Sequence, residues 1–479
     1  MHDSGTSSGD SRQRVKVLVP LPLGAPYDYL VPRDMAADVG SIVKVPLGSR
    51  EVIGVVWDEG DDSGPPVEAA KLKAVYAVLP AIPLTATLRR LIDWVAAYTV
   101  SPAGSVLRMA ISVPDALASA PTDTVFVAGP AMPERLTPAR QRVLDVAKDG
   151  VPRRSADLAE QASVSSGVIK GLADAGVLIG HEVPAERSFE SPQPGFGPQV
   201  LSPDQAAAAA DLTAKVAARA FAPVLLEGVT GSGKTSVYFE AVAEALRGNR
   251  PTLVLLPEIA LTAQWLDRFT ERFGVMPAQW HSDLSQPERR RVWRAVSEGR
   301  VPVVVGARSA LFLPFHDLGL IVVDEEHDTS FKQEEGVAYN ARDMAVVRAQ
   351  LEKCPVVLVS ATPSLETVVN AETNKFEHLL LPERHGGAEL PTLSIVDMRA
   401  EQLPAGRWIS AVLEEHIHQT IESGEQVLLL CAADVVPGLR SPLSVPELPG
   451  MVGRTPPPCA AAVPPLRLRD GGSRGLPVV

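Results

Sequence analysis

Five short apolar runs mark the second half of the chain: APVLLEG from Ala222, PTLVLLP from Pro251, VPVVVGA from Val301, LGLIVVDEE from Leu318 and CPVVLVSAT from Cys354. None alternates polar with apolar. A strand with one wet face reads with period two, whereas a strand covered on both faces reads as an unbroken run. Amphipathic stretches separate the runs. From Leu201 onward the sequence therefore predicts a parallel sheet covered by helices.

The ends of three runs carry chemistry. The first leads into Gly228, Val229, Thr230, Gly231, Ser232, Gly233, Lys234 and Thr235, which fits G-x-x-x-x-G-K-[ST] at each fixed position. The pattern predicts a strand over 224–227 and a helix over 235–246. The glycines let backbone N–H groups face phosphate oxygens, and the helix N-terminus adds favourable potential. In that reading Lys234 contacts the β- and γ-phosphates of ATP and Thr235 ligates Mg²⁺; a glycine-rich turn without ligand is the alternative. The fourth run ends in Asp324-Glu325-Glu326-His327. Asp324 is expected to hold Mg²⁺ through water and Glu325 to orient and deprotonate the attacking water, which makes Lys234, Asp324 and Glu325 the catalytic candidates. A solvated acidic pair is the bland reading, and the position after a buried strand argues against it. The fifth run ends in Ser360-Ala361-Thr362, which with the other two parts forms the coupling motif of helicase-type ATPases.

The first half has another texture. Residues 1–14 read as a disordered tail without an apolar signal core. Residues 15–115 are Val/Ile-rich with Gly/Pro punctuation, as in short strands, followed by a helix with Leu88, Leu91, Ile92, Val95 and Ala96 on one face. Residues 116–135, rich in Ala and Pro, read as a linker. Residues 136–185 read as a small helical unit whose order suits a winged helix, and 186–200 as a second linker. The expected class is multidomain α/β: a β-rich N-terminal domain, a winged helix, and a P-loop lobe over 201–391.

Totals narrow the function. No run of 18 apolar residues occurs, which argues against a membrane span. The cysteines (Cys354, Cys431, Cys459) lack paired spacing, which fits a reducing cytoplasm better than a disulfide framework or zinc site. The net charge of −12 counts against passive DNA coating. Residues 265–308 nevertheless carry eight Arg against five acidic residues, including Arg289-Arg290-Arg291. That run is either a solvated helix face or a phosphate-contacting patch.

Taken together, GVTGSGKTSVY, LLPEIALTAQW, HSDLSQPERRRVW, VVVGARSALFLPF, DEEHDTSFKQEEGVAYNARDMAV and SATPSLET resemble the PriA (primosomal protein N′) family, bacterial replication-restart helicases of superfamily 2, over roughly residues 15–430. The resemblance implies an N-terminal domain that recognises DNA 3′ ends, with Tyr27 (where Phe is common), Asp28, Gly48 and Lys73 at its pocket. It implies that the lobe is RecA-like, that Gln205 reads adenine, and that His327 joins Ser360, Ala361 and Thr362 in coupling. It implies that Phe331, Tyr339 and Arg342 lie on a loop linking DNA contact to ATP hydrolysis, with Val337 replacing a common aromatic. Implied partners are forks, D-loops and single-stranded 3′ ends, primosome proteins, the replicative helicase loader and single-stranded DNA-binding protein, at the nucleoid, with no membrane.

The resemblance weakens near the C-terminus. A second lobe starts over 392–430, and residues 431–479 then contain ten Pro, five Arg, no Lys and no aromatic residue. Such composition reads as low-complexity, irregular chain. The family's zinc-binding cysteine array and its Q-x-x-G-R-x-G-R finger motif are missing there, so no zinc ligands are expected. A reading-frame change near Leu430 and a natural truncation are the alternatives. Without the finger, slow ATP hydrolysis and little unwinding are expected.

Overall fold

A computed structural model describes residues 13–59, 72–119, 121–184, 186–257, 263–383, 393–398 and 409–429. The chain divides into two compact units, residues 1–390 and 391–479.

The first unit opens with a six-stranded sheet. Its strands are β1 (Arg14–Leu18), β2 (Tyr27–Leu30), β3 (Ile42–Leu47), β4 (Arg50–Glu59), β5 (Lys73–Ala74) and β6 (Ala77–Val78), in the order β5-β2-β1-β4-β3-β6. β1 starts at Arg14, inside the stretch expected to be a tail. Alternation places Val15 and Val17 of β1 and Val43 and Val45 of β3 in one small core. Two helices follow, α1 (Ala86–Tyr98) and α2 (Ala103–Ala110). Thr85 caps α1, its hydroxyl accepting from Leu88 N–H at 3.2 Å. The five apolar residues expected on one face of α1 are the buried ones.

A winged-helix arrangement comes next: β7 (Thr122–Ala128), α3 (Pro138–Ala147), β8 (Arg153–Arg154), α4 (Ser155–Gln161), α5 (Ser166–Asp174) and β9 (Leu178–Pro184), with strand order β8-β7-β9. Val143, Leu158, Ile169 and Leu172 form its core. The expected linker over 116–135 is corrected here. TDTVFVA pairs along its whole length with β9 as β7, and the Ala/Pro-rich flanks had hidden a real alternation.

The P-loop lobe contains α6 (Pro203–Ala218), β10 (Ala222–Gly228), α7 (Lys234–Arg247), β11 (Thr252–Leu255), α8 (Ala263–Phe273), β12 (Ala278–Trp280), α9 (Gln286–Ser297), β13 (Val303–Gly306) and β14 (Leu320–Asp324). It continues with the hairpin β15 (Lys332–Gln333) and β16 (Tyr339–Asn340), then α10 (Ala341–Glu352), β17 (Pro355–Ser360), α11 (Leu365–Glu372) and β18 (Glu377–Leu381). The sheet order is β12-β13-β11-β14-β17-β10-β18. Each of these pairings is parallel. The five runs are its inner strands, and β12 and β18 are edges that their sequence did not announce.

The arginine-rich run on α9 is not a freely solvated face. Arg290 and Arg294 pair with Glu186, Arg291 donates to the Arg187 and Ser188 carbonyls and stacks on Phe189, and Arg289 stacks on Trp280. Together with Arg272, which donates to Pro194 O at 2.9 Å, these guanidiniums strap residues 186–200 along the lobe. The segment expected to be a free linker is thus tied down. Trp293 of α9 donates to Ala110 O at 2.8 Å. Through α1, α2, α9 and α10 the β-rich domain and the lobe share one apolar core.

In the second unit the described residues form one helix, α12 (Ala411–Glu422), whose Ser410 hydroxyl caps Leu413 N–H at 3.1 Å. Residues 425–429 form no strand. The tail over 431–479 and all but two residues of the expected N-terminal tail lie outside the described residues.

Candidate nucleotide site and its link to the DNA-contact loop

Three neighbouring strands, β14, β17 and β10, deliver their carboxyl ends to one edge of the lobe. They bring Asp324, Ser360 and the glycine loop together, as the sequence predicted. Gly231 and Gly233 take φ of +82° and +80°. At Gly233 an added Cβ would also sit 2.4 Å from the Gln205 amide nitrogen, so only glycine fits there. Lys234 is buried, its Nζ donating to Gly228 O at 2.8 Å and Val229 O at 3.4 Å. Burial lowers its pKa, and the charges of Glu325 and Asp324 partly offset that. The Ser232 hydroxyl is buried without a hydrogen-bond partner among the described residues. An entering phosphate would draw the lysine ammonium from these carbonyls and could accept from the unpaired hydroxyl. Thr230 is exposed at the loop tip and Val229 is partly exposed.

Gln205 lies beneath this loop. Its Oε1 accepts from Ser202 N–H at 2.9 Å in a reciprocal cap of α6, and its Nε2 donates to Ser232 O at 2.9 Å.

Asp324 ends β14 almost fully enclosed. Its Oδ2 accepts from the Tyr238 hydroxyl at 2.8 Å and its Oδ1 from Glu325 N–H at 3.1 Å. Burial, with the Glu325 charge adding, pushes its pKa up to about 6 despite the Tyr238 bond. Glu325 adopts φ +49°, a strained value for a residue with a side chain, at the turn beyond the strand. The Thr235 hydroxyl and the Asp324 carboxylate are hard oxygen donors, and the raised pKa is what a nearby dication would reverse. Magnesium fits these residues; when bound it would withdraw charge from the phosphates.

A stability prediction follows. An acid with a raised folded-state pKa favours the fold while protonated, and that contribution is lost as pH rises through the folded pKa. Without nucleotide or metal, Asp324→Asn should therefore be more stable than the parent at pH 7.5. Each tenfold difference in proton affinity between folded and unfolded chain is worth ~1.4 kcal/mol, so the gain is about 2–3 kcal/mol. The gap should narrow as pH falls below about 6. Urea unfolding at several pH values checks it, and equal stability at pH 7.5 contradicts it.

The second glutamate of the acidic box, given no role from sequence, is the hub of the region. Glu326 is fully buried and accepts from Ser364 N–H (2.7 Å), Ser364 Oγ (3.1 Å), Thr367 Oγ1 (3.0 Å) and Arg342 Nη1 (3.3 Å). His327 Nδ1 lies 2.8 Å from Ser360 Oγ, which also accepts from Thr362 N–H at 3.0 Å, with Ala361 between them. The acidic box is thus joined to the Ser-Ala-Thr turn through His327 and to the start of α11 through Glu326.

Phe331, Tyr339 and Arg342, expected on the loop that links DNA contact to ATP hydrolysis, do not face solvent in this structure. Phe331, Val337 and Tyr339 are buried, and Tyr339 packs edge-on against Phe312. Apolar rings in a loop with an apolar neighbour turn inward rather than into water. The Arg342 guanidinium is held by Glu326, Asp343 and Ser364. Arg308, not singled out from sequence, clamps the start of the same loop through the Ser330 and Lys332 carbonyls, each at 3.0 Å.

Of the four candidates in the N-terminal domain, Tyr27 and Asp28 lie on β2, Lys73 on the neighbouring β5, and Gly48 in the turn between β3 and β4. Lys73 Nζ donates to Gly48 O at 3.1 Å across the β3–β4 turn, and Lys73 pairs with Tyr29 beside Asp28. Asp28 accepts from Arg14 Nε at 3.0 Å, a partner missed because it sits on another strand. Tyr27 is 42% exposed. Oxygen acceptor, ammonium and open ring can meet the end of a nucleic-acid strand.

Comparison with known proteins agrees. The PriA 3′DNA-binding domain (3′BD) family matches residues 16–112, and the DEAD/DEAH box helicase family matches 202–371. The replication restart protein PriA of Rickettsia felis is 33% identical over 415 residues, 86% of this chain and 53% of that protein. That of Haemophilus influenzae is 34% identical over 442 residues, 87% of this chain and 58% of the relative. That of Bacillus subtilis is 38% identical over 288 residues, 59% and 35%. The chain spans about half the length of the curated relatives it matches. No described helix is long and apolar enough to cross a membrane. On its two matched domains and its alignment to these relatives, the chain belongs to the PriA replication restart protein family.

Proposed function

We propose that the chain serves replication restart at the nucleoid. It recognises abandoned forks and D-loops by the 3′ end of a nascent strand, binds ATP with Mg²⁺ in the P-loop lobe, and initiates the primosome assembly that reloads the replicative helicase. Primosome proteins, the helicase loader and single-stranded DNA-binding protein are its proposed partners. The carrying observation is that one compact unit contains both the contact between Gly48 and Lys73, beside the strand of Tyr27 and Asp28, and the glycine loop holding Lys234. A carboxylate held by Arg14 can accept a hydrogen bond from a terminal 3′-hydroxyl and repels a 3′-phosphate. Lys73 supplies positive charge for the adjacent phosphate, and Tyr27 a face for the terminal base.

The test is binding by fluorescence anisotropy to forks whose leading-strand end bears 3′-hydroxyl or 3′-phosphate. The parent should prefer the hydroxyl. Asp28→Ala should lose ~1.5–3 kcal/mol of that preference, roughly 10- to 100-fold, because a hydrogen bond to a charged group is lost. Equal affinity of the parent for both ends would sink the reading.

Burial of Phe331, Val337 and Tyr339 favours a second reading, a fork-binding scaffold that does not separate strands. ATP-dependent release of a labelled strand from a fork distinguishes the two.

A further inference from the structure

Tyr238 stands one turn beyond the phosphate-loop lysine on α7, wholly buried in an aromatic group with Phe239, Trp265, Phe269 and Phe273. A phenol in such surroundings must be hydrogen-bonded or it is costly. Its hydroxyl makes two hydrogen bonds. It donates to Asp324 Oδ2 at 2.8 Å and accepts from Trp265 Nε1–H at 2.7 Å. A tyrosine hydroxyl has one proton and two lone pairs, and these partners take the proton and one lone pair.

The direction of these bonds matters. Trp265 can only donate, so it occupies one lone pair. The hydroxyl proton then points at Asp324. Thr235 and Asp324 are the two side chains that fit magnesium, and Tyr238 fixes the Asp324 carboxylate by donating to one of its oxygens while lone pairs remain for the ion. Outer partners that orient ligands in this way commonly set metal affinity by 10- to 100-fold.

We propose that Tyr238 is the positioning residue of the magnesium site, with Trp265 of α8 fixing the sense of its hydroxyl. This rests on the nucleotide-binding reading above. Neither residue touches phosphate; both act through Asp324.

The experiment uses the full chain and a fluorescent ADP analogue, in two steps. Affinity is first measured in EDTA, then Mg²⁺ is titrated into the nucleotide-bound protein, for the parent, Tyr238→Phe and Trp265→Phe. Tyr238→Phe keeps the ring in its cluster and removes only the hydroxyl. Its EDTA affinity should match the parent while its Mg²⁺ midpoint rises about 10-fold or more. Trp265→Phe should shift the midpoint in the same direction by less. General damage to the site would instead weaken binding in EDTA as well. If Tyr238→Phe does not fold, Trp265→Phe decides alone. Mg²⁺ midpoints that coincide with the parent overturn the proposal. A parent that binds no nucleotide in either step overturns the nucleotide-binding reading, and this inference with it.

Discussion

Arg342→Ala is expected to lower the unfolding free energy of the P-loop lobe by about 3–5 kcal/mol, the usual result of removing one member of a buried ion pair. The Glu326 carboxylate would keep its bonds to Ser364 and Thr367 but lose its only counter-charge among the described residues, while fully enclosed. Arg342→Lys should fall between parent and alanine, because a single ammonium restores charge but cannot bond Glu326, Asp343 and Ser364 together. Urea unfolding followed by tryptophan fluorescence is the measurement. A loss under 1 kcal/mol for the alanine variant would show that the pair is not what holds the acidic box, the loop and the Ser-Ala-Thr turn in register.

Lys234→Ala should weaken nucleotide binding by about 2–5 kcal/mol, roughly 30-fold to several thousand-fold, since it removes the cation from a desolvated charge pair. Fold stability should change little. The lysine is already bonded to Gly228 and Val229 carbonyls of its own loop, which water can satisfy once the side chain is gone. Calorimetric titration with ADP checks the affinity and thermal unfolding checks the fold. Unchanged affinity would mean that the phosphates sit elsewhere.

What the sequence disclosed, and what it hid, follows from the range over which each signal acts. The inner strands of the lobe were legible because burial on two faces is written into consecutive residues such as Val303–Gly306. The loop from Gly228 to Thr235 was legible because its backbone needs glycine at fixed steps. β18 was missed because an edge strand is half wet; its Glu377 and His378 broke the apolar run. Tyr238 was missed for another reason. It looked like one more apolar position on a helix, and its partner Asp324 lies 86 residues away. The inward turn of Phe331 and Tyr339 was also invisible, since it depends on Phe312 from a distant segment and on Arg308 holding the loop. Local pattern shows which residues are reactive. It does not show which neighbour has already engaged them.

The core shared by α1, α2, α9 and α10 has a mechanical consequence. A hinge needs an interface that can slide or open, and close packing of Leu88, Leu91 and Val95 in one apolar cluster with Trp293 and Met344 leaves neither freedom. The Asp28 region and the phosphate loop are therefore two points fixed on one frame. If, as proposed, a 3′ end is held at Asp28 and nucleotide at the loop, that end would be a fixed origin, and any strand moved along the lobe would have to gather as slack between the two points or pull the end free.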